Sequence, residues 1–146
     1  MQIENEFNGE LPKEYLTFLE KNPNGSEVTF SEQKDEDLEF EGRDWTIMSE
    51  TTLLESWEMN GVGKARNFEC LKLYIAIQKE FSDGNWTTSN VGNIELDRIE
   101  KGFVFGAENG DYLYFDSTDS YSVWVYFHDG GDVLKIADSF TDFIGK

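Results

Sequence analysis

The sequence predicts an α+β fold, a mostly antiparallel meander sheet with helices packed on it, one near each end of the chain. Three observations carry that reading. Four short apolar segments in the last third are separated by Gly/Asp turns. An amphipathic helix pattern lies near the start, and a short Phe-containing helix pattern closes the chain. No internal repeat, linker or low-complexity tract interrupts residues 1–146, which read as one domain.

The first helix follows Leu11-Pro12, because proline at an opening position gives up an N–H that has no helical partner. Leu11, Tyr15, Phe18 and Leu19 fall on one face, and Asn22-Pro23-Asn24-Gly25 ends the helix. Val28 and Phe30, Leu38 and Phe40, and Trp45 and Ile47 alternate with polar neighbours, as strands do. Ser49-Glu50-Thr51-Thr52 reads as a helix start, with Thr52 and Glu55 at capping-box spacing and Leu53, Leu54 and Trp57 as its buried face. Gly61 and Gly63 break the chain. Residues 64–82 fit a helix through Phe68, Leu71, Tyr74, Ile75 and Gln78, and also alternate like a strand at Leu71, Leu73, Ile75 and Ile77; length favours the helix. Residues 83–95 have loop chemistry.

Strands are expected at Phe103–Phe105, Tyr112–Phe115, Ser122–His128 and Val133–Ile136. Turns are expected at Gly106–Asp111, Asp116–Ser120 and Asp129–Asp132. Ser139 and Asp142 begin a final helix that buries Phe140 and Phe143.

The formal charge is −18, from 12 basic and 30 acidic residues, while twelve Phe, six Tyr and four Trp supply an aromatic load that disordered acidic chains lack. The acidity therefore belongs to a folded surface. It disfavours nucleic acid and anionic membranes, whose binding needs Lys and Arg, and favours a basic protein partner. Residues 1–50 hold 14 acidic and 4 basic residues, so they carry −10 of the −18.

One cysteine, Cys70, cannot form an intrachain disulfide. The opening Met-Gln-Ile-Glu-Asn-Glu-Phe lacks the basic and apolar regions of a signal peptide, and no apolar run approaches the ~18 residues of a membrane span. A cytoplasmic protein is expected.

Catalytic and metal chemistry have little to draw on. His128 is the single histidine, at a strand end beside Asp129, and reads as a hydrogen-bonded structural residue. Cys70 reads as a small core residue. Asp116-x-x-Asp119 and Asp129-Gly-Gly-Asp132 read as turn chemistry, without the twelve-residue loop and closing glutamate of a calcium site. Gly61-x-Gly63-Lys64 follows a helix pattern, where a phosphate loop follows a strand. The chain is expected to have no catalytic set, no metal and no cofactor.

Several stretches together resemble one family. These are Leu11-Pro12-x-x-Tyr15-x-x-Phe18-Leu19 closing at Asn24-Gly25, and Trp45 before the second helix. The tail adds Gly106-x-x-Asn109-Gly110-Asp111-Tyr112-x-x-Phe115-Asp116, Val123 to Asp129, and Ala137-Asp138-Ser139-Phe140-x-x-Phe143. This pattern resembles the SUKH superfamily over residues 10–60 and 100–146. The superfamily includes bacterial immunity proteins, which neutralise polymorphic toxins (often nucleases), and fungal regulators of cell-wall glucan synthesis.

The resemblance implies an α+β fold and a non-enzymatic, protein-binding role. Together with the charge it points to an immunity protein against a basic toxin domain; the alternative is an intracellular regulator or scaffold of cell-wall or glucan synthesis. Glu32, Asp35, Glu36, Asp37, Glu39 and Glu41 are the expected partner-binding face. Trp86, in a loop, is the tryptophan expected to be exposed as an anchor, while Trp57 and Trp124 are expected to be buried.

Overall fold

Every residue of Ser122–Tyr126 is buried, so this strand has packing on both faces and sits inside a layered structure. The computed structural model describes residues 2–30 and 43–145. Among them a six-stranded antiparallel sheet is formed by Ser26–Phe30 (β1), Arg43–Ile47 (β2), Phe103–Glu108 (β7), Asp111–Asp116 (β8), Ser122–Tyr126 (β9) and Val133–Ala137 (β10). Their spatial order is β1-β2-β7-β8-β9-β10.

Strand alternation divides the aromatic load between the two faces. On β8, Leu113 and Phe115 point one way. There Tyr15 of the helix Lys13–Lys21 (α2) meets Phe103, Phe105, Phe115 and Phe140 edge-on, with ring centroids 5.0 to 5.9 Å apart. Phe140 and Phe143 belong to the last helix, Phe140–Ile144 (α6), and Phe143 also packs on Phe30 of β1. Tyr112 and Tyr114 point the other way. Tyr74 of the helix Leu71–Phe81 (α4) lies 5.4 Å from Tyr112 and 5.9 Å from Tyr126, and Tyr114 stacks on Trp124.

The last third has the four strands and closing helix that its sequence predicts, with shifted bounds: β8 extends through Asp116, and β9 stops at Tyr126 rather than His128. Gly106 stays in β7, at a bulge, where a Cβ would come within 2.8 Å of Leu113 Cδ1. The turn shrinks to Asn109-Gly110, whose φ of 49° and 90° suit a two-residue type I′ hairpin. Ser139 caps α6 by accepting from the Asp142 N–H. Near the start, Gly25 closes the α2 turn at φ 81°, and a Cβ there would lie 2.7 Å from the Ile47 carbonyl.

Larger departures come earlier. A short helix at Gln2–Phe7 (α1) precedes the expected first one and buries Ile3. The next helix is Glu50–Leu54 (α3), capped by Ser49 accepting from Thr52 N–H; Glu55 is its C-cap rather than the partner of a Thr52 capping box. Trp57 leaves that helix for a strand and is half-buried. Ser56–Met59 (β3) pairs with Gly63–Arg66 (β4), so the Gly61/Gly63 stretch makes a hairpin. The ambiguous 64–82 region splits into β4, a 3₁₀ turn at Asn67–Glu69, and α4. Within 83–95 Trp86–Thr87 (β5) pairs with Ile94–Glu95 (β6), and Leu96–Glu100 forms a further short helix (α5). The alternation at Leu38 and Phe40 lies outside the described residues.

The two sheet edges differ. Along β10, Asn90 acts like one residue of a neighbouring strand. Its Nδ2 donates to the Lys135 carbonyl (2.9 Å) and its Oδ1 accepts from the Lys135 N–H (2.8 Å). Val133 N–H also donates to the Thr88 carbonyl. These contacts satisfy backbone groups that an open edge leaves unpaired.

At the far end of the sheet Asp111 joins three elements. It takes Arg43 of β2 at 3.0 Å on Oδ2, and on Oδ1 both the His128 N–H and the His128 ring at 2.7 Å. Glu108 also binds Arg43, whose guanidinium lies 4.4 Å over Trp45. His128 is thus a hydrogen-bonded structural residue held chiefly by Asp111, with Asp129 3.2 Å from its other ring nitrogen. The hydrogen bond to Asp111 raises its pKa above 6.5.

Two predictions follow from this packing. Tyr15 Oη is buried and has no hydrogen-bond partner among the described residues, so Tyr15→Phe is expected to raise the unfolding free energy by about 1 kcal/mol. Loss of stability by that amount in a denaturant titration would show that the hydroxyl is partnered. Because the folded-state pKa of His128 is raised, its contribution is full below the ordinary value of 6.5 and is lost as pH rises through the raised value. Urea midpoints of wild type and His128→Gln should therefore be furthest apart at low pH and converge at high pH; a gap independent of pH would refute this.

Candidate partner-binding surface

Both faces of β8 and β9 are covered. Among the described residues the open surface therefore lies at loops, at sheet ends and on the outer face of β1 and β2, where the exposed residues are Glu27, Thr29, Asp44 and Thr46. Three large apolar side chains stand out on this surface within eleven residues: Phe81 is 83% exposed, Trp86 51% and Val91 58%. Phe81 is the last residue of α4, after the helix has buried Leu71, Leu73 and Ile75. The chain then turns through Ser82 to Gly84, with Ser82 Oγ donating to the Gly84 carbonyl (3.0 Å). Gly84 leaves room for the Trp86 indole, whose Nε1 would be 3.1 Å from a Cβ at that position. Thr88 and Asn90 then fasten the segment to β10.

Beside this segment α4 and the β9–β10 turn enclose a cleft of about 440 Å³. Tyr74, Ile77, Phe81 and Tyr126 give it apolar walls; Gln78, His128 and the Asp129–Gly131 turn give it polar ones. Gln78 fixes the floor, since its Nε2 donates to the Gly131 carbonyl (2.8 Å) and its Oε1 accepts from Tyr126 Oη (3.0 Å). Burial pushes the Tyr126 phenol up to about 12, so it stays a neutral donor. Tyr74 and Tyr112 share a hydroxyl contact at 3.1 Å. The Asp129 carboxylate stands almost fully exposed at the rim.

Of the residues expected to bind a partner, one lies among the described residues. Trp86 is exposed, as expected, next to β10. Glu32, Asp35, Glu36, Asp37, Glu39 and Glu41 lie outside the described residues. The residues flanking their segment, Phe30 and Arg43, are Cα partners at the end of the β1–β2 ladder. From β1 to β10 is five strand spacings, about 24 Å along the sheet.

The residues weighed for chemistry have structural surroundings. Cys70 is fully buried and burial pushes its thiol up to about 12, far from a reactive thiolate. Asp116 accepts from Arg98 Nε (2.8 Å) and from the Thr118 N–H, while Asp119 takes Ser122 and Lys135. Among the described residues no three His, Cys, Asp or Glu side chains gather as metal ligands would, and no helix is long and apolar enough to cross a membrane. Trp57 is half-buried and Trp124 fully buried, the latter donating its indole N–H to Ser122 Oγ (2.8 Å).

Sequence reasoning missed Phe81, Val91 and the cleft. A signal for the first two was present: each is a large apolar residue beside Ser, Asn or Gly, at the end of a helical pattern or within loop chemistry. The cleft has no such signal, because α4 and the β9–β10 turn are some 50 residues apart in the chain.

No curated protein and no solved structure matches the chain. A family model does, and its match takes in the middle third as well as both ends. By that match over residues 2–146, the chain belongs to the SMI1/KNR4 family (SUKH-1).

Proposed function

We propose that the chain is a non-enzymatic protein-binding domain that acts in the cytoplasm as an immunity protein, neutralising a basic toxin domain, with nucleases the leading class. SUKH domains bind partner proteins, which supports the general role. The observation that carries the specific one is the concentration of exposed Phe81, Trp86 and Val91 on a chain of net charge −18. Aromatic anchors supply most interface energy, and a strong opposite field accelerates encounter with a basic surface.

The acidic residues Glu32, Asp35, Glu36, Asp37, Glu39 and Glu41 supply steering in this reading, and Trp86 with Phe81 supplies contact area. Binding alone then neutralises the toxin by covering its active site or its substrate path.

Capture on the tagged chain at low salt, followed by a high-salt wash, is expected to retain one basic protein. That protein should be toxic when produced alone and inactive when mixed one-to-one with the chain. Retention of several envelope-synthesis proteins instead would overturn the immunity reading in favour of a regulator of cell-wall or glucan synthesis. With the partner in hand, Asp35→Asn, Glu36→Gln and Asp37→Asn combined should slow association roughly tenfold at low salt and little at high salt. An unchanged low-salt rate would remove the acidic stretch from the interface.

A further inference from the structure

The cleft beside Phe81 has more specific chemistry than an exposed apolar patch. It is lined by the exposed Phe81, the half-buried Tyr74 and the almost fully buried Tyr126, and its rim carries the Asp129 carboxylate. Asp132 lies next to that rim, its Oδ1 2.9 Å from where a Cβ on Gly130 would be. Among the described residues no Lys or Arg lines the space. The one cation that can form there, His128, is already faced by Asp111 at 2.7 Å and Asp129 at 3.2 Å.

An anion would enter this space against the field of the whole chain and would meet carboxylates at the rim. A purely aliphatic side chain would make no use of the exposed Asp129 carboxylate, whose described neighbour is His128 at 3.2 Å. A flat cation satisfies both features, because guanidinium stacks on aromatic faces while its N–H groups reach a carboxylate in its own plane. The floor is also fixed before binding. Gln78 locks Tyr126 to the Gly131 carbonyl, so an incoming side chain need not order it.

We propose that this cleft is the pocket for an arginine side chain of the partner protein, held between Phe81 and Tyr74 over the Gln78–Tyr126 floor, with Asp129 on its guanidinium. The inference rests on the reading that the partner is a basic protein, and makes this pocket a centre of its recognition. Phe81, the most exposed large apolar side chain described, closes over the arginine stem and is itself buried by the partner.

The test uses acetyl-arginine methylamide as the probe, titrated into the full ¹⁵N-labelled chain, with acetyl-leucine methylamide and acetyl-glutamate methylamide as comparisons. Saturable shifts are expected at the Gln78 side-chain amide and at the backbone of Phe81, Tyr126 and Asp129. Affinity for the arginine compound should exceed that for leucine by about fivefold, with no saturation by glutamate. Phe81→Ala with Asp129→Asn should weaken arginine binding about tenfold. Both side chains are exposed, so the Trp124 indole signal should stay in place and report an intact fold.

Shifts absent from these positions, or equal affinity for arginine and leucine, would overturn the pocket assignment. Because the probe reads the cleft alone, failure here while a basic toxin is still captured and neutralised removes the pocket and leaves the function. Selective arginine binding with no such toxin captured leaves the pocket and removes the function.

Discussion

The structure depends on one constraint: β8 and β9 carry large side chains on both faces, and each face has to be covered. Tyr15 meets that demand on one side, its ring touching four phenylalanines from β7, β8 and α6 at once. Tyr74 meets it on the other, against Tyr112 and Tyr126. Edge-to-face contacts of this sort add about 0.5–1.5 kcal/mol each beyond simple burial, and they fix ring orientation as well. The cost appears at Tyr15 itself, whose hydroxyl is buried without a partner among the described residues. Covering both faces also decides where function can lie. Among the described residues the faces of β8 and β9 are closed to a partner, and β10 is occupied by Asn90 and Thr88. Recognition is left to loops, helix ends, the turns between strands and the outer face of β1 and β2, where Glu27, Thr29, Asp44 and Thr46 are exposed.

The charge follows a related logic. Arg43, Arg66, Lys72, Lys79, Arg98 and Lys135 are each engaged by carboxylates. These local pairs consume much of the positive charge and leave the acidic excess facing solvent. The exposed pairs among them contribute little stability individually, whereas Arg43–Asp111 and Arg98–Asp116 are largely buried. The effect of the pairs together is on the field, which extends about 8–10 Å at ordinary salt and is opposite in sign to a basic partner's. An acidic exterior with short apolar contacts at loop tips separates the two tasks of encounter and retention.

Much of this architecture was legible in the sequence, for reasons visible in particular residues. Asn109-Gly110 sets a hairpin because both positions tolerate positive φ, and Ser139 announces α6 because its hydroxyl can accept from the Asp142 N–H. The 64–82 region was harder. Leu71, Leu73 and Ile75 are all buried, since α4 is covered on more than one side, and such a helix shows the alternation of a strand. In the β3–β4 hairpin, Gly63–Arg66 consists of charged and small residues, which carry no strand signature. Trp57 followed a helical run by sequence and a strand in the fold. For the site, Trp86 was readable as an aromatic among loop residues. The cleft was not, because Gln78 and Gly131 meet through tertiary packing alone.

The central claim is that a basic protein docks on the α4 end, the Trp86 loop and the β9–β10 turn. Hydrogen exchange of the chain, free and bound to its captured partner, tests it most directly. The account predicts slowed exchange across residues 77–91 and 126–133, with no change in the apolar groove that Phe18, Phe140 and Ile144 line between α2 and α6. Slowed exchange confined to that groove, with residues 77–91 unchanged, would contradict it.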